Sequence, residues 1–212
     1  MDVRKDASAD TGTVRGIVLS GVARRGLDVL GSLLLLILTL PLLVVVMGLI
    51  KLDSRGPLLY RQERIGLHGR IFTLLKLRSM RADAETDGPR WAAEHDTRVT
   101  RVGVFIRAFR IDELPQLLNV LRGEMSLVGP RPERPFFAEQ LAQVIPQYDR
   151  RTDILPGITG WAQVNYQYGA SVEDAQVKLS YDLHYLRHRS LLLDLRILVA
   201  TVRVVMLRVG AR

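Results

Sequence analysis

From Val29 to Ile50 the chain carries no charged side chain. As an α-helix this stretch of about 22 residues would measure roughly 33 Å, the thickness of a hydrocarbon core. In lipid, backbone groups must be satisfied within the segment, so this run is helical and everything else has to be arranged around a bilayer surface. Pro41 lies near its middle, Arg24 and Arg25 precede it, and Lys51 and Arg55 follow it. Positive charge on both flanks predicts that both ends face the cytoplasm. Pro41 removes a backbone donor and crowds the preceding turn, which predicts a helix-break-helix that dips into one leaflet and returns. A straight spanning helix is the alternative, since prolines also occur in such helices. A cleaved signal peptide is disfavoured by the length of the run and by the lack of a small-residue cleavage site after it.

The chain has 212 residues, enough for one domain with a core, and divides into a polar tail (1–20), the membrane hairpin (21–55) and a domain continuous with it (56–212). A net charge of +8 calls for an anionic partner: nucleic acid, acidic lipid or a phosphorylated substrate. Nucleic acid is the weakest of the three, because there is no aromatic-basic platform and no known recognition module. The absence of cysteine excludes disulfides and thiolate metal sites.

Leu58–Gln62 and Ile71–Met80 flank Gly66-Leu67-His68-Gly69, which predicts a β-hairpin. Lys76 and Arg78 alternate with Leu75 and Leu77 and so share a strand face, either solvated or aimed at phosphate. The polar segment Ala82–Thr100 reads as an excursion between elements. Next comes Arg107-Ala108-Phe109-Arg110-Ile111-Asp112-Glu113-Leu114-Pro115-Gln116, with Leu114, Leu117, Leu118 and Leu121 at helical spacing. Adjacent acids among arginines suit metal-assisted attack on phosphate, one carboxylate as nucleophile and its neighbour on a divalent cation; they equally suit capping of a helix N-terminus. Arg131 stands between Pro130 and Pro132, which pre-aims its guanidinium or simply marks an exposed turn. Val172–Arg189 is helical in composition, and Ser190–Arg208 sets Leu and Val among Arg196, Arg203 and Arg208, as in a helix lying along anionic headgroups. No Gly-x-Gly-x-x-Gly follows a strand, so no large parallel sheet is expected.

Taken in order and spacing, the apolar run with its proline, Lys76-Leu77-Arg78-Ser79-Met80, Asp112-Glu113-Leu114-Pro115-Gln116, Val128-Gly129-Pro130-Arg131-Pro132 and Pro156-Gly157-Ile158-Thr159-Gly160-Trp161-Ala162-Gln163-Val164 resemble the bacterial sugar transferases called monotopic phosphoglycosyl transferases. The resemblance implies an α/β membrane-associated, monotopic fold: a re-entrant helix broken at Pro41, a small β-hairpin and amphipathic interfacial helices at the cytoplasmic face of the bacterial inner membrane. It implies transfer of a sugar 1-phosphate from a UDP-sugar to polyprenol (undecaprenyl) phosphate with release of UMP, the first membrane step of glycoconjugate assembly. Asp112 then matches the nucleophile and Glu113 a ligand of Mg2+. Arg107 and Arg131, with Lys76 and Arg78 behind them, match phosphate contacts, and Asp194 matches a carboxylate near the metal, against the alternative of an acid on the wet face of a surface helix. The chain departs from the family at Leu40-Pro41, where serine often precedes the proline, at Glu124 in place of aspartate, and at Gln167 in place of an arginine of some small members. Tyr166–Ser171 is similar to members associated with exopolysaccharide clusters. The donor sugar and the oligomeric state, a homodimer included, stay open. A membrane scaffold without catalysis is the competing reading, and it predicts no UMP release.

Overall fold

The computed structural model describes residues 7–86, 88, 96–166 and 171–208, and for 7–20 the backbone only. Gln167, most of the 87–95 part of the Ala82–Thr100 excursion and part of the Tyr166–Ser171 string lie outside the described residues.

The apolar run belongs to one helix, α1 (Ala7–Asp53). Residues 7–20, expected as a tail, continue that helix upstream; Gly12 and Gly16 weaken it there, and no proline stops it. The expected break at Pro41 does not interrupt the helix, which is assigned on both sides of the proline. Its physical support is packing: Asp28, Ser32, Leu43, Val46 and Ile50 are buried, with Leu36 half-buried between them, at intervals of three, four and seven residues along one face. The body of the protein therefore grips α1 before and after Pro41. Thr39 donates its hydroxyl to the Leu35 carbonyl at 2.6 Å, one turn upstream of the proline. The opposite face, including Leu30, Leu34, Ile37, Leu38, Val44 and Val45, is exposed. Gly21–Asp53 is long and apolar enough to cross a membrane.

Strands β1 (Leu59–Ile65) and β2 (Ile71–Leu77) form the expected antiparallel hairpin, with Tyr60 opposite Lys76. Helices α2 (Arg101–Ala108) and α3 (Gln116–Arg122) follow, α2 capped by the Thr100 hydroxyl accepting from the Gly103 amide. A short strand β3 (Ser126–Val128) pairs in parallel with β4 (Gly157–Thr159), with α4 (Pro135–Val144) between them. Both described sheets have two strands. Gly129 and Gly157 lie against each other so closely that a Cβ on Gly129 would strike the Leu155 carbonyl, which fixes the loop carrying Arg131 against β4. The chain closes with α5 (Trp161–Asn165), α6 (Val172–His188), which starts in a Ser171/Asp174 capping box, and α7 (Leu191–Met206).

Three apolar clusters hold these elements together. Leu43, Val46 and Ile50 of α1 meet Leu77, Ile106 and Ile111. Leu74, Leu117, Val120, Met125, Leu127, Tyr185 and Ile197 form the centre. Ala138, Leu141, Ile145, Tyr148 and Leu179 join α4 to α6. The first two clusters flank the turn that carries Asp112 and Glu113, so the rigidity of that turn comes from packing on both sides.

Candidate active site

Asp112 and Glu113 sit in a one-turn 3-10 helix (Ile111–Glu113) entered through Arg110, whose φ of 56° is left-handed. A non-glycine residue there is disfavoured and is held only when its surroundings determine it, here by Ile106 and Ile111 in the core below. Pro115 then closes the turn and α3 begins. Neither acid caps a helix: no side-chain cap is made at this turn or at the start of α3. Both are buried, at 5% and 6% exposure, which a solvated capping acid would not be.

Cations surround Glu113. Lys76 Nζ lies 3.1 Å from Oε1, and Arg131 donates through Nη2 to Oε1 at 2.6 Å and through Nη1 to Oε2 at 3.2 Å. Arg110 Nη1 stands 3.8 Å away. Burial alone would push the Glu113 carboxyl up, but Arg131, Lys76 and Arg110 together hold it well below the usual carboxylate range. Its neighbour goes the other way: burial raises Asp112, the Glu113 charge adds to this, and Lys76, Arg107 and Arg110 only partly offset it. Burial also lowers the Lys76 ammonium, with Glu113 acting against that. Two adjacent carboxyls are thus driven apart, one a firmly ionised anchor and the other a destabilised, more basic carboxylate.

The acids open on a cavity of about 450 Å³ that Lys76, Arg107, Arg110 and Arg131 also line. Arg78 reaches the same wall, but its guanidinium is engaged with the end of α1, donating to the carbonyls of Ser54 at 2.7 Å and Arg55 at 2.9 Å and to Ser54 Oγ at 2.9 Å. Asp194 is not among the residues lining this cavity. It is buried at 3% exposure, accepting from Arg24 Nε at 2.9 Å and Tyr185 Oη at 2.6 Å. That overturns the reading of an acid on the wet face: Asp194 falls on the inner face of α7 with Ile197, and it ties α1 to α7. No cluster of three or more His, Cys, Asp or Glu side chains stands ready for a metal among the described residues. Glu124, the conservative departure, accepts from Asn119 Nδ2 at 2.6 Å and supports α3.

Several cavity residues escaped the sequence reading. Tyr60, Gln62 and Arg64 line it from alternate positions of β1, a period-two pattern that any half-exposed strand also shows. Arg151 lies beneath, its side chain 11% exposed, paired with Asp182 at 2.9 Å and donating to the Arg131 carbonyl at 3.0 Å. No local motif signals Arg151, because its partners come from other elements.

A family model described as bacterial sugar transferase matches residues 19–208. An Aeromonas hydrophila protein named UDP-N-acetylgalactosamine-undecaprenyl-phosphate N-acetylgalactosaminephosphotransferase is 44% identical over 89% of this chain and 45% of its own length. A Caulobacter vibrioides UDP-glucose:undecaprenyl-phosphate glucose-1-phosphate transferase is 46% identical over 84% of this chain and 68% of its own. The Bacillus subtilis uncharacterized sugar transferase EpsL is 39% identical over 89% of this chain and 90% of its own. The chain thus spans under half the length of the Aeromonas relative and nearly all of the Bacillus one. With almost the whole sequence inside the family match, this chain belongs to the bacterial sugar transferases.

Proposed function

We propose that the protein transfers a sugar 1-phosphate from a UDP-sugar to polyprenol (undecaprenyl) phosphate through a covalent intermediate on Asp112. The observation that carries this reading is the divergence of the paired acids inside a cationic cavity: Glu113 clamped by Arg131 and Lys76, Asp112 buried and raised. An Asp112 oxygen attacks the β-phosphorus of the donor, a P–O bond to the departing phosphate breaks, and UMP leaves with the electron pair. A polyprenol phosphate oxygen then attacks the same phosphorus, and the bond to Asp112 breaks to regenerate the carboxylate. Burial that raises Asp112 makes it a better nucleophile than a solvated carboxylate, and the arginines meet the charge that moves to the bridging oxygen. Arg107 and Arg131 are assigned to phosphate oxygens. The relatives named for transfer to undecaprenyl phosphate support the same acceptor here.

The donor set fits Mg2+ in a restricted sense. Two adjacent carboxylates without a third acid suit an ion that takes one or two protein carboxylates and completes its shell with water and substrate phosphate. Glu113, with Asp112 beside it, would hold Mg2+, which when bound supplies charge neutralisation at the phosphate oxygens.

The site of action proposed is the cytoplasmic face of the bacterial inner membrane, with α1 inserted monotopically. A body packed along α1 from Asp28 to Ile50 is hard to reconcile with an upright crossing, since it would be drawn into the lipid with the helix. A second apolar stripe, Leu192, Leu195, Val199, Val202 and Met206 on α7, is exposed at helical spacing and suits a surface-lying helix, with Arg196 and Arg203 exposed among it.

The test is UMP release by purified full-length protein from a panel of UDP-sugars with Mg2+ and undecaprenyl phosphate. One donor is expected to give turnover, and intact-mass analysis with donor alone should show a phosphosugar adduct that Asp112→Asn lacks. Full turnover by Asp112→Asn would overturn the covalent route, and no UMP from any donor would leave the scaffold reading.

A further inference from the structure

The cavity that holds the paired acids also contains a cationic group that the proposed chemistry does not use. Arg134, at the N-terminus of α4, grips the Glu85 carboxylate with both terminal nitrogens, at 2.8 Å and 3.2 Å. Tyr60 donates its hydroxyl to Glu85 Oε2 at 3.0 Å and accepts from Gln62 Nε2 at 2.7 Å. Arg64 sits behind, donating to Gln62 Oε1 at 2.5 Å and to the Pro132 carbonyl at 2.9 Å, while its buried Nε has no partner among the described residues. All five side chains line the cavity with Asp112 and Glu113.

The acid and the arginine are unequally placed. The Arg134 side chain is 14% exposed and that of Glu85 33%, so the guanidinium belongs to the wall and the carboxylate to the open side. Two oxygens held by a guanidinium fork and a phenol is the arrangement by which proteins hold a phosphate as readily as a carboxylate. Burial first, and then the nearby Arg131 and Arg134, push the Arg64 guanidinium down to about 10, against Glu133 at 3.6 Å. Burial and Glu85 push the Tyr60 hydroxyl up to about 12, so it stays a donor at neutral pH.

We infer that Arg134 and Tyr60 form a second anion site in the cavity, that its ligand is a phosphate group of a substrate, and that Glu85 fills it as an internal competitor until that phosphate displaces it. The inference rests on the phosphate-transfer reading above. The phosphate has two possible sources, the nucleotide donor and the lipid acceptor, and they are separable by titration.

The experiment is calorimetric titration of the detergent-solubilised full chain with UMP, with a short-chain polyprenyl phosphate, and with uridine as the phosphate-free control. Glu85→Gln removes the competitor but keeps the shape, and should tighten one of the two phosphate ligands by roughly three- to tenfold, as expected when an acceptor no longer competes for a charged donor pair. Uridine should be unaffected. Arg134→Gln should weaken the same ligand, and Glu85→Gln/Arg134→Gln should show no gain over Arg134→Gln. A gain for UMP identifies the donor phosphate, and a gain for the polyprenyl phosphate identifies the acceptor. Unchanged or weaker binding of both ligands by Glu85→Gln, or a gain that persists without Arg134, overturns the inference and leaves a structural ion pair. Should Glu85→Gln not fold, Glu85→Asp, too short to span to Arg134, carries the same expectation. If neither phosphate ligand binds the wild-type chain, the phosphate-transfer reading falls too; if they bind and Glu85 is indifferent, this inference alone falls.

Discussion

Neighbouring carboxyls with opposite electrostatics should respond with opposite sign to the same chemical change. Glu113→Gln deletes the charge that compensates Lys76, whose side chain is 16% exposed, and Arg131, whose side chain is 35% exposed. Removing one partner of a buried pair costs about 3–5 kcal/mol, and the solvent access of Arg131 together with relief of repulsion on Asp112 lowers this to roughly 2–4 kcal/mol. For a chain of this size that is a fall in Tm of roughly 5–15 °C. Asp112→Asn removes a charge whose burial raised its pKa, so it should leave Tm unchanged or higher while abolishing turnover. The linkage signs separate the two further. Asp112, raised in the folded state, weighs against folding above its unfolded pKa, so the stabilisation by Asp112→Asn should fade as pH falls into the carboxylate range. Glu113, depressed, contributes stability above its unfolded pKa and loses it only as pH falls through its much lower folded value, so the Glu113→Gln deficit should be flat from pH 6 to 8. Differential scanning fluorimetry of the detergent-solubilised variants reads this directly, with Lys76→Met and the Glu113→Gln/Lys76→Met pair closing a cycle whose coupling should be about 1–3 kcal/mol. Equal destabilisation by Asp112→Asn and Glu113→Gln, or zero coupling to Lys76, would refute the clamped-anchor account.

Arg107→Ala and Arg131→Ala should each lower kcat/KM for UMP release by roughly one to three orders of magnitude, because a charge-assisted contact that strengthens in the transition state is lost; activity within twofold would remove either residue from the phosphate site. Asp194→Asn should lower stability by about 2–4 kcal/mol by stranding Arg24, and its activity should not recover with high Mg2+ if the carboxylate serves to tie α1 to α7; rescue by Mg2+ in an activity titration would return it to the site. Cysteines placed at Val22 and Arg55 of this cysteine-free chain should both be labelled only from the cytoplasmic side, and periplasmic labelling of Val22→Cys would show that α1 crosses.

What could be read from the residues, and what could not, follows the range of the interactions. The β1–β2 hairpin, α3, α6 and α7 were legible because turn glycines and apolar spacing are local signals. The opposite environments of Asp112 and Glu113 were not, because Lys76 comes from β2 and Arg131 from the loop after β3, and their distances to Glu113 exist only after folding. The burial of Asp194 was hidden for a related reason. An acid amid leucines looks exposed or functional, yet the 3.6-residue period puts it in register with Ile197 on the inner face of α7, and its partner Arg24 lies at the far end of the sequence.

Pro41 bears most directly on how the candidate site would meet the proposed lipid acceptor. Sequence logic treats a mid-helix proline as a breaker costing about 3 kcal/mol, and the helix nonetheless runs through it. The body offsets that penalty by packing Leu36 on one side of the proline and Leu43, Val46 and Ile50 on the other. The cluster that includes those last three also contains Ile106 of α2 and Ile111, the first residue of the turn that carries Asp112 and Glu113. Depth of α1 in the membrane and position of Asp112 are therefore mechanically linked through one apolar cluster. Truncating Ile106, which is fully buried, to alanine opens a cavity at that link and should cost about 2–5 kcal/mol. If the link matters for function, Ile106→Ala should lower turnover with the lipid acceptor more than it lowers formation of the phosphosugar adduct from donor alone. Equal losses in the two half-reactions would mean that the cluster only holds the fold together.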